Sequence, residues 1–166
     1  LKFTGASLAL TPLAGMAAGS DSGKNVTESL SNITGSVTPI SVAERKARIE
    51  KAQQLMKQHN MAALLIEPGA AMDYFSGIQW WRSERLTALV IPQKGDIAVV
   101  TPFFEKPSVL ESLKVGDDVQ VWNEHESPFE VVANILTSRG IRSGNIGFES
   151  SVRYFVVTGI SNALPA

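Results

Sequence analysis

The sequence predicts an α/β fold built on a mixed β-sheet, and three features of residues 40–166 predict it. Helical and strand-like hydrophobic patterns alternate along the chain, in the order helix, strand, helix, hairpin, helix, strand, helix, strand, helix. Leu86–Ile91 and Asp96–Thr101 are apolar runs joined by Pro92-Gln93-Lys94-Gly95, so two neighbouring strands read as a hairpin. Ala62–Ile66 is a continuous apolar run, the pattern of a strand covered on both faces.

Each element follows from local chemistry. Ser41-Val42-Ala43-Glu44 is a capping box, which satisfies orphan backbone donors at a helix start. The helix runs to about His59: Val42, Ile49, Ala52, Leu55 and Met56 keep helical spacing, Lys and Arg cover the other face, and Asn60 stops it. Glu67-Pro68-Gly69 ends the first strand, and Ala70–Phe75 reads as a short helix closed by Gly77. After the hairpin, Phe104–Leu113 is predicted helical, with Pro107 limiting its start. Asp118–Trp122 is a strand. Ser127-Pro128 opens a helix through Phe129, Val132, Ile135 and Leu136 that stops at Gly140. Gly140-Ile141-Arg142-Ser143-Gly144 reads as a helix-to-strand turn rather than a phosphate loop, and Asn145–Phe148 is the fifth strand. Ser150-Ser151 is expected to cap a last helix over 151–163. A sheet of this pattern is expected to continue with another strand, so the domain is expected to be truncated at Ala166.

Composition bounds the function. The chain has 166 residues, is 44% hydrophobic and 19% charged, and has room for one domain with a core. A net charge of -1 argues against a nucleic-acid partner and gives no support to an electrostatic membrane-surface binder. The absence of cysteine excludes disulfides, thiolate metal sites and a Cys nucleophile, and two histidines exclude a His-rich metal site. Residues 1–20 form a signal-like apolar segment, uncharged from Phe3 to Ser20, too weakly apolar for a stable membrane span and with a small-x-small pattern at Gly15-Met16-Ala17. Residues 21–39 read as a flexible Ser/Thr/Gly/Asn-rich linker, leaving 40–166 as the domain. Export to the periplasm or medium is the expectation, with a cytoplasmic location as the alternative.

Chemistry-bearing residues concentrate in Asp73–Arg85, DYFSGIQWWRSER, which joins a short helix to a strand. Aromatics and arginine in a loop are the residue types of recognition sites. Arg85 or Arg82 could hold a carboxylate in bidentate fashion, and Trp80 or Trp81 could wall an apolar pocket. The plainer reading packs one Trp in the core and leaves Arg82 and Glu84 as a solvated pair. His125, between Glu124 and Glu126, reads as a solvated loop residue, and His59 as a helix-end residue. Nucleophile elbow, P-loop, HExxH and dinucleotide fingerprints are all missing, and the chain carries no complete acid, base and nucleophile set.

The ordered segments E-R-K-A-R-I-E-K…M-A-A-L-L-I (44–66), D-Y-F-S-G (73–77), S-E-R-L-T-A-L-V-I-P (83–92) and N-I-G-F-E (145–149) resemble the N-terminal domain of the creatinase/prolidase/aminopeptidase P superfamily, over roughly residues 40–166. The W-W-x-S-E-R-L stretch is similar to its exported Xaa-Pro peptidase branch. The resemblance implies a ribonuclease H-like three-layer sandwich preceding a separate catalytic domain of the pita-bread fold. There a divalent metal pair (manganese, cobalt or zinc) would activate water. None of those ligand motifs lies in this chain, so the resemblance implies a non-catalytic domain with no cofactor of its own. Its implied partners are its own C-terminal catalytic domain, a homodimer partner and a proline-containing peptide. It would build dimer contacts and lend the loop after Tyr-Phe-Ser-Gly to the partner subunit's substrate site. Counting from that tetrad, a substrate-carboxylate arginine of the creatinase branch falls at Arg85, the first choice, with Trp80, Trp81 and Arg82 beside it. The Trp80-Trp81 pair departs from creatinase, which disfavours creatine. The alternatives are a creatinase-like non-peptide C–N hydrolase and a free-standing binding domain.

Overall fold

The computed structural model describes residues 31–164. The described residues fall into two units, divided between Thr38 and Pro39. The signal-like segment expected over 1–20 and the first part of the linker lie outside the described residues. In the described end of the first unit, the Asn32 carboxamide accepts from the Thr34 backbone N–H (2.9 Å) and hydroxyl (2.7 Å), closing a local turn.

The second unit contains α1 (Val42–Gln58), β1 (Met61–Ile66), α2 (Ala70–Ser76), β2 (Ala88–Pro92), β3 (Ala98–Pro102), α3 (Lys106–Ser112), β4 (Val119–Trp122), α4 (Pro128–Ser138), β5 (Asn145–Phe148) and α5 (Tyr154–Ala163). Strand order is β4-β3-β2-β1-β5. β2 runs antiparallel to both neighbours, as the hairpin signal requires, while β1–β5 and β3–β4 pair in parallel. The C-terminal ends of β1, β3, β4 and β5 therefore emerge at one edge of the sheet, together with the start of β2. In open α/β sheets that edge is where binding loops gather.

Alternation along the strands builds a core on each face. Ala63, Leu65, Ala88, Val90, Ala98 and Val100 face α4 and α5, packing on Val132, Leu136, Val156 and Ile160. Ile66, Leu89, Ile91 and Val99 face the other way, onto Ile49 and Met56 of α1, Met72 of α2 and Val109 of α3. The result is a three-layer helix–sheet–helix sandwich with a mixed sheet.

The structure refines several boundaries. The capping box is half made: Ser41 Oγ accepts from the Glu44 N–H (3.1 Å), but the Glu44 carboxylate reaches forward to Arg48 instead of back to Ser41. Arg45 departs from the solvated basic face expected for α1; it is buried and donates to the carbonyl and carboxylate of Asp73 on α2. A 3-10 turn at Phe103–Glu105 precedes α3, which places Pro107 in its first turn. α5 begins at Tyr154 rather than 151, without a side-chain cap, because the Ser151 hydroxyl accepts from Arg82 and takes no capping role.

The Tyr-Phe-Ser-Gly tetrad gains a physical account. The Arg48 guanidinium lies 4.0 Å from the Tyr74 ring centroid. Phe75 packs against the α1-side core, and the buried Ser76 hydroxyl donates to the Met72 carbonyl (2.7 Å). Gly77 ends α2 at φ +86°, and the Lys114 side chain occupies the space a Cβ would need.

Candidate functional site

Residues 77–87 carry the chain from α2 to β2 without regular structure, yet they are fixed at both ends. At the entry, Ile78 is completely buried and its N–H donates to Ser76 Oγ (3.2 Å). Trp80 packs part of its indole against the α1-side core. At the exit, the buried Trp122 indole N–H donates to the Leu86 carbonyl (2.9 Å), and Arg153 Nη1 donates to the Ser83 carbonyl (2.6 Å). Between these anchors Trp81 stands 91% exposed.

Trp80, Trp81 and Arg82 line a cleft of about 510 Å³ together with Asp73, Gln79 and the Pro68–Ala70 turn. One oxygen of the Asp73 carboxylate is paired with Arg45 (3.1 Å), and Gln79 donates to the other (3.3 Å). The acid in the cleft is thus already compensated. Arg82 Nη2 donates to Ser151 Oγ (3.1 Å), and its Nε lies 3.9 Å from a Glu67 oxygen. The structure thus brings three of the four sequence-predicted site residues into one cleft.

Arg85 is not among the cleft's lining residues. Its Nε donates to Glu124 (2.8 Å), Nη1 contacts Glu84, and the guanidinium lies 5.5 Å from the Phe104 ring centroid. The hydrogen bond to Glu124 and the charges of Glu124, Glu84 and Glu105 raise its pKa above the ordinary arginine value. Beneath it, the Thr87 and Thr101 hydroxyls both reach Glu105 Oε2 (3.1 and 3.3 Å), tying the 3-10 turn to β2 and β3.

Sequence reasoning did not single out Glu67 or Arg153. Glu67, in the turn after β1, is 0% exposed. Its Oε2 accepts from the Arg153 backbone N–H (2.8 Å), and its Oε1 accepts from Arg153 Nε (2.9 Å) and Nη2 (2.6 Å). The available signal was an acid directly following an apolar strand whose last two residues are buried, since a buried carboxylate requires a partner. The identity of that partner, 86 residues away, was invisible without the β1–β5 pairing. His59 and His125 are both exposed, as the sequence suggests. Among the described residues no group of three His, Cys, Asp or Glu side chains is placed to hold a metal ion. No described helix is long and apolar enough to cross a membrane.

The fold and the cleft together define a mixed α/β sandwich domain with an aromatic loop pinned at both ends. The chain belongs to the creatinase/prolidase N-terminal domain family, whose model matches residues 48–166. It is 29% identical over 133 residues to an uncharacterized peptidase of Schizosaccharomyces pombe, covering 72% of this chain and 28% of that protein. It is 33% identical over 91 residues to the probable dipeptidase PepE of Mycobacterium bovis, covering 54% of this chain and 24% of that one. The chain thus spans about a quarter of the length of these curated relatives. Among solved structures, dipeptidase PepE from Mycobacterium ulcerans matches with a TM-score of 0.67 at 29% identity, over 76% of this chain and 34% of that one. The N-terminal domain of Xaa-Pro dipeptidase from Lactobacillus brevis matches with a TM-score of 0.66 at 20% identity, over 72% and 89%, a likeness of fold.

Proposed function

We propose that this chain is the N-terminal, non-catalytic domain of a metal-dependent, exported Xaa-Pro dipeptidase or aminopeptidase. In this reading the domain makes homodimer contacts and presents the Trp80–Arg85 loop to the substrate site of the partner subunit. A separate C-terminal domain supplies the metal pair and the hydrolytic chemistry. The observation that carries the reading is Trp81, fully presented beside Arg82 on a loop whose two ends are buried and hydrogen-bonded. An indole wall next to a guanidinium matches a ligand with an apolar ring and a carboxylate, such as a proline-containing peptide. A rigid loop loses little entropy on engaging it.

The test is hydrolysis by the full-length protein of an Xaa-Pro dipeptide and an Xaa-Pro-Xaa tripeptide with manganese added, before and after chelation. Chelator-sensitive cleavage at the proline bond is the expected result. Cleavage of neither peptide overturns the peptidase reading, and creatine and other small amidines then become the substrates to assay.

A further inference from the structure

Charge accounting around the cleft leaves one guanidinium whose carboxylate is shared with, and hydrogen-bonded to, another arginine. Asp73 is taken by Arg45, and Arg85 by Glu84 and Glu124. Glu67 receives three donors from Arg153. Arg82 stands 3.9 Å from Glu67, beyond hydrogen-bonding distance, and its hydrogen bond goes to the neutral Ser151 hydroxyl. Buried Glu67 is one carboxylate shared by two guanidiniums, the exposed Arg82 and the part-buried Arg153, so cationic side chains outnumber acidic ones in this cluster at the cleft wall.

We infer that buried Glu67 and part-buried Arg153 form a lock that holds Arg82 at the cleft as the anchor for a ligand carboxylate, while Arg85 serves the loop's own structure. The lock joins three segments. Glu67 belongs to the β1–α2 turn, Arg153 and Ser151 to the β5–α5 turn, and Ser83, whose carbonyl Arg153 grips, to the aromatic loop. Because Glu67 is 0% exposed and satisfied by three hydrogen bonds, its position is fixed to within a rotamer. Arg82 Nη2 is directed by Ser151, which leaves Nη1 for a ligand at the cleft. A carboxylate there displaces no carboxylate hydrogen-bonded to Arg82, whose ion pair with Glu67 is a longer contact at 3.9 Å. At Arg85 a ligand carboxylate would have to compete with Glu124, which already accepts from Nε at 2.8 Å. The ligand class is a short peptide with a free C-terminus, its last residue apolar and set against Trp80 and Trp81. This inference rests on the peptidase reading for its substrate and deepens it by naming the anchoring residue.

The experiment compares alanyl-proline with alanyl-prolinamide as substrates of the full-length protein. Arg82→Ala is expected to raise KM for the acid about 10- to 100-fold, the effect of a charge-assisted hydrogen bond, and to leave KM for the amide nearly unchanged. Glu67→Gln is expected to raise KM for the acid with kcat retained. A purely structural role would lower the active fraction, and so kcat, for both substrates alike. Should Glu67→Gln fail to fold, Ser151→Ala removes only the hydroxyl that orients Arg82 and is expected to raise KM for the acid about 3- to 10-fold. Equal effects on acid and amide overturn the inference while the peptidase reading stands. So does an acid-selective KM rise in Arg85→Ala with none in Arg82→Ala. If the wild type cleaves neither substrate, the peptidase reading falls and calorimetric titration with N-acetylproline and its amide decides the anchor. Binding of the acid that Arg82→Ala abolishes supports it, and no binding overturns it.

Discussion

Asn123 and Glu126 show how a single residue in this domain responds to pH. The Glu126 carboxylate accepts from the Asn123 backbone N–H at 2.7 Å and from its side-chain amide at 3.1 Å. Those bonds, the backbone one above all, with His125 adding positive charge, hold its pKa below the ordinary value of 4.5. A depressed carboxylate pKa means that its contribution to stability is present above the unfolded value and lost as pH falls through the folded one. The turn before α4 is therefore expected to stay closed through pH 4.5 and to open only in stronger acid. An NMR titration of the Glu126 side-chain carboxyl carbon checks it, and Asn123→Ala, which removes only the weaker bond, is expected to move the midpoint part of the way back. A midpoint at or above the ordinary value would contradict the geometry. At this scale the sequence was legible where residue types stand out by composition. Trp80, Trp81 and Arg82 do so, and the structure collects them in one cleft. Glu67 and Arg153 were not legible, because each is an ordinary charged residue until the fold makes them neighbours and removes Glu67 from water.

The secondary elements were almost wholly legible, because local signals set them: periodicity, Pro at a helix start, Gly in a left-handed C-cap. What escaped was tertiary. α5 starts later than its serines suggest, since Ser151 is drawn into the Arg82 contact. Its β-branched run weakens helix propensity, yet the helix forms because Val156 and Ile160 are completely buried against α4 and the sheet. Gly159 shows what that packing demands. A Cβ there would lie 2.5–2.7 Å from three atoms of the Phe129 ring on α4. Glycine is a poor helix residue, and here it permits the close approach of two helices. Gly159→Val is accordingly expected to destabilise the domain by about 1–3 kcal/mol despite its better helix propensity. Phe129→Leu should relieve part of the loss, so a double-mutant cycle read by denaturant unfolding is expected to show favourable coupling. Additive losses would place the clash elsewhere.

For the domain as a whole, mixed pairing follows from one hairpin in an otherwise alternating pattern, which is why the α/β class could be read directly. Strand order could not, because periodicity says which faces are buried and nothing about which strands are neighbours. That order has an energetic consequence. The two cores share the same strands: Leu89 faces α1, α2 and α3, while the adjacent Val90 faces α4 and α5. The sheet is held between layers that cannot separate without exposing both. Leu89→Ala should cost about 2–5 kcal/mol through the buried methyls and the cavity they leave. Val90→Ala, a smaller truncation, should cost less. Native-state hydrogen exchange in the whole protein distinguishes one cooperative unit from two. In one unit, both substitutions lower protection of the β1 and β2 amides and of the α1 and α4 helices together, each in proportion to its cost. Loss confined to α1 for Leu89→Ala and to α4 for Val90→Ala would mean that the layers melt independently. The aromatic loop, whose Trp80 packs into the α1-side core while Arg153 grips Ser83 from the start of α5, would then be tied to two separately fluctuating bodies. A loop so divided could not hold the orientation on which the cleft depends. Cooperative loss of protection is therefore the outcome that the proposed role of the domain requires.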